Sequence, residues 1–344
     1  MNNGTANPAQ EWIDARELFV GGKGWSDTKR FFDRLSGRAE GVVREAVWDL
    51  SRQSAGLCVG FRTNAVKIAA RWELLLEQLI RPMMGPIGAS GLDLYARDAA
   101  GCWRWAGHGG PNGRDNEAVL VGGLDGQMRD YLLYLPLRNG IEKLWVGVPE
   151  GAALEPAVPF AGLPIVYYGT SIVHGEGASR PGMCHAAILG RRLERPVINL
   201  GFAGAGTMDA PIAELMVELE AAVYLVDCLP NMTEPTVRER AEPFVRTLRA
   251  SRPDTPIVLV EDRTCGNAWL AQIGRERHRT SRAALRDAYE KLAASGVANL
   301  HYVGGDPLLG SDNEGTIDSS HPSDLGYVRY ADALAPLLRS LIAG

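Results

Sequence analysis

Short apolar runs recur through the C-terminal half of the chain, and a longer segment with helical periodicity follows each of them. The runs lie at residues 165–168, 197–200, 222–226, 257–260 and 299–303. The periodic segments lie at residues 182–193, 210–219, 235–250, 280–294 and 325–342. A short run that is apolar at every position suits a strand buried on both faces. Strands that alternate with helices pair in parallel, so we predict a parallel sheet with helices on both faces.

Two prolines fall within the third periodic segment, residues 235–250. Pro235 suits the first turn of a helix, where the missing N–H would have no helical partner anyway. Pro243 lies in the interior, where proline removes a hydrogen bond and crowds the preceding turn. We therefore expect this helix to be kinked or divided at Pro243.

The N-terminal half has a different pattern, in which short apolar or alternating segments are separated by Gly, Pro, Asn and Asp. The segments lie at residues 41–48, 57–62, 66–75, 92–97, 103–107, 117–120, 130–135 and 143–148. Regularly spaced short strands with turn residues between them are typical of an all-β sandwich. Six of the eight tryptophans lie between Trp25 and Trp145, and we expect them to fill its core. One or two tryptophans that stack on a sugar are the open alternative.

The two patterns meet in a proline-rich stretch, residues 149–163, which we interpret as a linker between domains. We therefore predict a β-sandwich domain over residues 1–155 and an α/β domain over residues 156–344. Residues 1–20 show neither pattern clearly, and we expect a loosely ordered lead-in there.

The composition gives no indication of nucleic acid or a membrane as a partner. The net charge is −5, and no apolar run reaches 18 residues. Residues 1–11 lack the apolar core of a secretory signal, so we expect a cytoplasmic protein. The five cysteines form no Cys-x-x-Cys pair, and the six histidines form no His-Glu-x-x-His motif. We therefore expect a reducing compartment and no metal site.

Residues suited to acyl-transfer chemistry follow the predicted strands. Ser171 follows the first strand, a glycine-rich segment with Gly204 follows the second, and Asn231 follows the third. Asp318 and His321 lie shortly before the last helix. Ligands of parallel sheets bind outside the carboxyl ends of the strands. We therefore expect these five residues to meet at one edge of the sheet.

A serine becomes a good nucleophile only when a base removes its proton. His321 is the candidate base, and Asp318 is placed three residues earlier to hold the other ring nitrogen. A tetrahedral intermediate also needs hydrogen-bond donors for its oxyanion. The backbone N–H groups of Ser171 and Gly204 and the side-chain amide of Asn231 are the candidate donors.

These blocks are similar to those of the SGNH (GDSL-type) hydrolases, in the same order along the chain. The matching residues are Gly169-Thr170-Ser171, Gly204, Asn231, Asp318 and His321. In the N-terminal half, Ser90-Gly91-Leu92-Asp93-Leu94-Tyr95 resembles the GxDLY signature of a β-sandwich domain that precedes some of these hydrolases. The resemblance implies an α/β fold, with a flavodoxin-like three-layer α/β/α parallel-sheet domain preceded by a jelly-roll-like all-β sandwich.

Two positions depart from the family pattern. Thr170 stands where the family usually has Asp, and its hydroxyl could support the same turn. The third block reads Leu229-Pro230-Asn231-Met232 where the family usually has Gly-x-Asn-Asp. The Asn is kept, but the local turn must differ.

The resemblance implies a serine esterase that works through Ser171, His321 and Asp318 and needs no cofactor. It also implies small acyl groups, above all acetyl, and a small-molecule or oligosaccharide ester as the substrate. An acyltransferase that passes the acyl group from the same serine to an alcohol is the alternative. A third hypothesis is a carbohydrate-binding or scaffold protein with an inactive esterase domain, which the presence of all the site residues disfavours. A homo-oligomer is left open.

Further residues near the predicted strand ends have open roles. His174 either lines the substrate site or points elsewhere, and Arg180 either binds substrate or anchors its loop. Glu261 and Asp262 either bond loop backbone or lie at the rim of the site. Cys228 is disfavoured as a nucleophile because no histidine lies beside it in the sequence.

Overall fold

The N-terminal half folds as a sandwich of two antiparallel sheets, as the sequence predicts. The structure is a computed structural model that describes residues 9–343, apart from the side chain of Ile273. The strands of this half are β1 Gln10–Asp14, β2 Phe19–Gly21, β3 Cys58–Thr63, β4 Lys67–Leu74, β5 Leu92–Arg97, β6 Trp103–Gly109, β7 Asp115–Gly122, β8 Arg129–Tyr134, β9 Ile141–Pro149 and β10 Leu154–Pro156. One sheet has the order β1-β9-β4-β7, and the other has the order β10-β3-β8-β5-β6, with β2 paired to β3.

The sandwich core forms because alternate side chains of each strand point toward the facing sheet. On β4, Ile68, Ala70 and Trp72 are buried and share one cluster with residues of the opposite sheet. In that opposite sheet, Phe61 of β3 stacks on Tyr131 of β8 with 5.5 Å between the ring centroids.

The C-terminal half folds around a five-stranded parallel sheet, which confirms the predicted α/β class. Its strands are β11 Ile165–Gly169, β12 Val197–Gly201, β13 Val223–Asp227, β14 Ile257–Val260 and β15 Leu300–Val303, in the order β12-β11-β13-β14-β15. Two short helices precede this half, α1 Glu45–Ser51 and α2 Pro86–Ser90. The helices around the sheet are α3 Ser171–His174, α4 His185–Leu193, α5 Ala210–Met216, α6 Glu234–Ser251, α7 Gln272–Ala294 and α8 Asp324–Ala343.

Strand β11 is buried on both faces, which explains why it is apolar at every position. Ile165 and Tyr167 belong to the cluster that includes α4 and α8. Val166 and Tyr168 belong to the cluster on the other face, which includes α5, α6 and α7. The central position of β11 holds its carboxyl end, and the residues that follow it, in a fixed place.

Three local predictions differ from the structure. The helix α6 is not divided at Pro243, because buried side chains on both sides of it, such as Ala241 and Val245, pack against the sheet domain. Helix α7 begins at Gln272, eight residues before the predicted start. The pattern missed its first two turns because they are polar and show no apolar period. Residues 41–48 contain the start of α1 and no strand, and Val43, just before the helix, and Val47, within it, are buried in the same cluster.

The predicted lead-in over residues 1–20 is also wrong from residue 10 onward. Strand β1 pairs with β9, and β2 pairs with β3. Both pairings satisfy backbone N–H and C=O groups that would otherwise lie unpaired at the edge of a strand. Residues 1–8 lie outside the described part of the chain. Within the predicted linker, β10 also pairs with β3.

The sequence pattern predicts that six tryptophans fill the sandwich core, but in the structure they are spread over three hydrophobic clusters and the surface. Trp72 lies in the sandwich core. Trp25 and Trp48 lie in a cluster with α5 and the parallel sheet, and the Trp25 indole donates to Glu218 Oε2 at 2.8 Å. Residues 22–56 therefore cover one side of the α/β domain, although they precede most of the sandwich in the sequence.

Arg34 ties this segment to the parallel sheet. Its side chain is fully buried, and its guanidinium donates to the backbone carbonyls of Asn199 and Gly201 at 3.0 and 2.8 Å. It also donates to the carbonyls of Leu50 and Gln53 at 2.7 and 2.8 Å. Burial lowers the pKa of Arg34 to about 9. Its fixed geometry thus holds the carboxyl end of β12 against residues 22–56.

Asp93, in the GxDLY-like motif, joins the sandwich to the α/β domain. Its Oδ2 accepts hydrogen bonds from Arg180 Nη1 and from the Gly182 N–H, both at 2.8 Å. Its Oδ1 accepts from the Trp105 indole at 2.9 Å. Tyr95 adds its hydroxyl, which accepts from Arg180 at 2.6 Å. A side chain at position 182 would collide with both Asp93 and Tyr95, so the two domains meet here through glycine backbone.

Within residues 9–343, the structure has no helix of the length and apolar character needed to cross a membrane.

We expect Asp93→Ala to lower the free energy of unfolding by about 3 kcal/mol, because it leaves three donors at the domain contact without their acceptor. Urea denaturation followed by circular dichroism measures this. The matched control is Asp130→Ala, which removes an exposed pair with Arg62 and should cost less than about 1 kcal/mol. Equal losses in the two variants would contradict the joining role of Asp93.

Candidate active site

Ser171 stands at the carboxyl end of β11, where the chain turns sharply into α3. A Cβ at Gly169 would lie 2.4 Å from Val173 Cγ2 and 2.6 Å from the Asp227 carbonyl, so the turn requires glycine. Thr170 caps α3, and its hydroxyl accepts from the Ile172 N–H at 3.3 Å. The threonine thus supports the turn, as its position in the sequence suggested. Ser171 itself is 8% exposed.

Ser171, His321 and Asp318 form a continuous hydrogen-bonded chain. Ser171 Oγ lies 2.9 Å from His321 Nε2, and His321 Nδ1 lies 2.7 Å from Asp318 Oδ2. The other oxygen of Asp318 accepts from the backbone N–H groups of Ser320 and His321 at 2.9 and 2.7 Å. Although burial acts to raise it, these hydrogen bonds hold the pKa of Asp318 below its usual value. An ionised carboxylate in this place orients the imidazole so that Nε2 faces the serine.

The turn that carries Asp318 and His321 is held from outside. Ser319 has a φ of +72°, the left-handed conformation that closes the turn between the two residues. Its carbonyl accepts from the Gly266 N–H at 2.9 Å, and the Ser320 carbonyl accepts from Arg263 Nε at 2.9 Å. The position of the imidazole therefore depends on the segment that follows β14.

The glycine-rich loop after β12 lies against the turn that precedes Ser171. The Phe202 N–H donates to the Gly169 carbonyl at 2.9 Å, and a Cβ at Gly206 would collide with that carbonyl. Gly204 has a φ of +72°, and nothing lies within 4 Å of where its Cβ would stand. The loop thus presents glycine backbone to open space beside the serine turn.

Asn231 lies at the same loop. Its amide oxygen faces the N–H groups of Gly204, Ala205 and Gly206 at 3.2–3.3 Å, because the opposite orientation would set its NH2 against those donors. The NH2 group is thereby turned away from these three N–H groups. The structure brings Gly204 and Asn231 together, as expected, but it also engages the Gly204 N–H in a long contact.

The two proposed substrate-binding residues have other partners. His174 is fully buried, and its Nε2 lies 3.5 Å from Arg34 Nη2. Burial, together with Arg34 and Arg138, lowers the pKa of His174 well below its usual value. A substrate contact by His174 is not supported, because the ring has no face open to solvent. Arg180 holds the domain contact described above, which favours the anchoring alternative.

Two further candidates at the strand ends, Cys228 and Glu261, have structural surroundings. Cys228 is fully buried, and burial raises its thiol pKa well above the usual value, so it is a poor nucleophile. Glu261 accepts from the Gly305 N–H, Tyr302 and Arg286 at 2.7–2.9 Å. The described residues contain no group of three or more His, Cys, Asp or Glu side chains arranged to hold a metal ion.

Asp227, which the sequence pattern did not assign to the catalytic site, lies beside Gly169 at the end of β13. Its Oδ2 accepts from the hydroxyls of Tyr330 and Tyr167 at 2.7 and 3.1 Å, and its Oδ1 has no partner among residues 9–343. Burial raises the pKa of Asp227 to about 7. Its strand-end position was a signal, but the two tyrosines come from distant elements that no spacing reveals.

Comparisons with known proteins agree with this architecture. The model of the GDSL-like lipase/acylhydrolase family matches residues 163–339, and the model of the GxDLY domain, the N-terminus of SGNH-hydrolase-type esterases, matches residues 10–154. A GDSL-like lipase from Bacteroides ovatus ATCC 8483 is 34% identical over 97% of this chain and 98% of its own, with a TM-score of 0.93. Among curated proteins, no sequence matches this chain.

Two more distant structures share the fold. The salicylyl-acyltransferase SsfX3 from a tetracycline biosynthetic pathway is 21% identical over 95% of this chain and 97% of its own, with a TM-score of 0.76. A family two carbohydrate esterase from Clostridium thermocellum, in complex with cellohexaose, is 13% identical over 84% and 93%, with a TM-score of 0.60.

We expect Asp227→Asn to change how stability depends on pH. Because the folded-state pKa of about 7 exceeds the unfolded value of about 4, the folded protein binds an extra proton between these values. The contribution of Asp227 to stability is therefore complete below pH 4, falls as the pH rises to 7, and stays low above it. The unfolding free energy of the wild type should fall relative to that of Asp227→Asn over this interval.

Urea denaturation at several pH values measures the difference between the two proteins. Asp254→Asn, at an exposed position, is the control for adding an amide. A difference between wild type and Asp227→Asn that does not change from pH 4 to 7 would contradict the assignment.

Proposed function

The chain belongs to the GDSL-like lipase/acylhydrolase family, and from that membership and the site geometry we propose that it is a serine esterase. The observation that carries the proposal is the chain of hydrogen bonds from Ser171 through His321 to Asp318, with distances of 2.9 and 2.7 Å. This arrangement supplies a nucleophile, a base and a group that orients the base.

In the first half of the reaction, Ser171 Oγ attacks the ester carbonyl while His321 Nε2 takes its proton. The Asp318 carboxylate stays ionised and stabilises the imidazolium that forms. His321 then gives the proton to the departing alcohol oxygen as the C–O bond breaks, leaving the acyl group on Ser171. In the second half of the reaction, water attacks the acyl group on Ser171 while His321 takes its proton, and the acid is released. These steps need no cofactor.

The developing oxyanion would be bound by the Ser171 N–H, the Asn231 NH2 and the Gly204 N–H. The orientation of Asn231 supports its role, because its oxygen is held by the loop and its NH2 is turned away. The Gly204 N–H must leave a contact of 3.3 Å with that oxygen to join. Such a long hydrogen bond is weak, and a charged acceptor forms a stronger one.

Small acyl groups follow from the family resemblance. We propose acetyl esters as the substrates. Acetylated carbohydrates as the alcohol part follow from the family resemblance alone, since a fold supports many substrates. Arg180 and His174 take no part in this proposal.

We expect Ser171→Ala to lower kcat/KM for p-nitrophenyl acetate by at least about 1,000-fold, because loss of the nucleophile removes the acyl-enzyme route. The control is Ser340→Ala near the end of α8, whose hydroxyl bonds only the Leu337 carbonyl among the described residues. It should keep the wild-type rate. Equal rates for wild type and Ser171→Ala would overturn the proposed function.

We also expect acetyl esters to react faster than butyryl and octanoyl esters, and water to be the main acyl acceptor. Product analysis with p-nitrophenyl acetate, alone and with alcohols or sugars, measures acetate against transferred acetyl groups. Ser171→Ala is again the control for uncatalysed transfer. Dominant transfer to an alcohol would identify an acyltransferase instead, and a preference for long acyl chains would contradict the assigned acyl size.

A further inference from the structure

The short helix α3 carries the serine, and the residues that end this helix are tied to Ser171 itself. The N–H groups of Gly175 and Glu176 donate to the Ser171 carbonyl at 3.0 and 2.9 Å. Gly175 has a φ of +104°, so the helix ends in the left-handed conformation. The main chain of Glu176 is therefore joined directly to the main chain of the nucleophile.

Tyr327 connects this end of α3 to α8, the helix that follows His321. Tyr327 lies in the first turn of α8, and its side chain is fully buried. Its hydroxyl lies 2.7 Å from the Glu176 carbonyl oxygen and 3.1 Å from that of Ile172, and it donates its one proton to them. The shorter distance is the ordinary one for a hydroxyl donor, so Glu176 is the main acceptor. Burial raises the pKa of Tyr327 well above its usual value, so the hydroxyl keeps its proton.

The chain that leads from His321 into α8 meets the same segment at a second point. A Cβ at Gly177 would lie 2.6 Å from the carbonyl oxygen of Pro322, the residue after His321. Gly177 also has a φ of +96°, which favours glycine. There is no room for a side chain at this position, so the residues after the base pack closely on the residues after the nucleophile.

The sandwich domain holds Glu176 from another side. Arg138, in the loop between β8 and β9, pairs through its Nη1 with the Glu176 carboxylate. The two side chains are 11% and 5% exposed, so the pair is largely withdrawn from solvent. The Nε of Arg138 also donates to Gln53 Oε1 at 3.1 Å. Glu176 is thus held through its carbonyl by α8 and through its carboxylate by the sandwich.

We propose that Tyr327 is a positioning residue of the serine site, and that through Glu176 it keeps Ser171 and His321 at hydrogen-bonding distance. This inference rests on the proposed function, because it concerns the same pair of reacting groups. Ser171 Oγ and His321 Nε2 lie 2.9 Å apart, although 150 residues separate them in the chain. Without the Tyr327 hydroxyl, α3 and α8 lose the hydrogen bond that joins them at this point. A displacement of about 1 Å between reacting groups is enough to slow a reaction by about a hundredfold.

The test compares two conservative variants, Tyr327→Phe and Tyr224→Phe. Both remove the hydroxyl of a fully buried tyrosine that donates to two backbone carbonyls. The acceptors of Tyr224 are the carbonyls of Leu219 and Met216, at 2.6 and 3.3 Å, at the end of α5. The stacking of the ring at position 327 on His185 is kept in Tyr327→Phe. We therefore expect similar decreases in the urea midpoint for the two variants.

We expect Tyr327→Phe to lower kcat for p-nitrophenyl acetate about tenfold or more and to change KM by less than about twofold. The reason is that formation and hydrolysis of the acyl-enzyme both use the pair of Ser171 and His321. Phosphorylation of Ser171 by diethyl p-nitrophenyl phosphate should slow by a similar factor. Tyr224→Phe should keep both rates within about twofold of the wild type. Similar kcat values in the two variants would overturn the proposal.

Glu176→Gln is the second variant, and it decides the proposal if Tyr327→Phe does not fold. It removes the charge that pairs with Arg138 and should also lower kcat, with KM little changed. Its matched control is Asp33→Asn, which breaks a pair with Arg52 whose side chains are 2% and 14% exposed. Asp33→Asn should keep the wild-type kcat. A kcat in Glu176→Gln equal to that of its control would overturn the role of Glu176.

Hydrogen exchange separates a failure of this inference from a failure of the proposed function. The peptide that spans residues 170–177 should exchange faster in Tyr327→Phe than in Tyr224→Phe, whether or not the protein hydrolyses the ester. Equal exchange in the two variants would overturn the positioning role. Absence of esterase activity in the wild type would instead count against the proposed function.

Discussion

The carboxylate of Asp93 is the contact on which the relation of the two domains depends. It is buried, it belongs to the sandwich, and it accepts hydrogen bonds from Arg180 and the Gly182 N–H of the α/β domain. Ser179, one residue earlier, bonds Asp324 at the start of α8, three residues after His321. A motif far from the serine site in sequence therefore helps to place the helix that follows the imidazole. This gives the GxDLY-like motif a physical role that does not require any contact with substrate.

The parallel sheet and the residues at its carboxyl edge could be predicted from sequence because each signal was local. A fully apolar run identifies a strand, and the residue after it falls at the edge where ligands bind. Asp318 and His321 could be predicted for the same reason, because two residues three positions apart can meet within one turn. The structure brings these residues together with Ser171 as expected.

What could not be predicted depends on contacts between distant segments. The burial of His174 follows from the packing of Arg34, which lies 140 residues earlier. The environment of Asp227 depends on a tyrosine from α8, 103 residues later. The continuity of α6 through Pro243 reflects packing on both sides of the proline, which overrides its local cost. In each case the outcome depends on tertiary contacts, which a local sequence pattern cannot predict.

The position of Trp25 and Trp48 has a consequence for how this molecule can be divided. The family models separate the chain between residues 154 and 163, yet both indoles pack on the α/β side of that boundary. A fragment that starts at the boundary would expose the apolar surface of Ile198 and Leu219 that this segment covers. The two halves are thus not interchangeable modules. Recombining the α/β domain with a foreign partner would have to keep residues 22–56 with it.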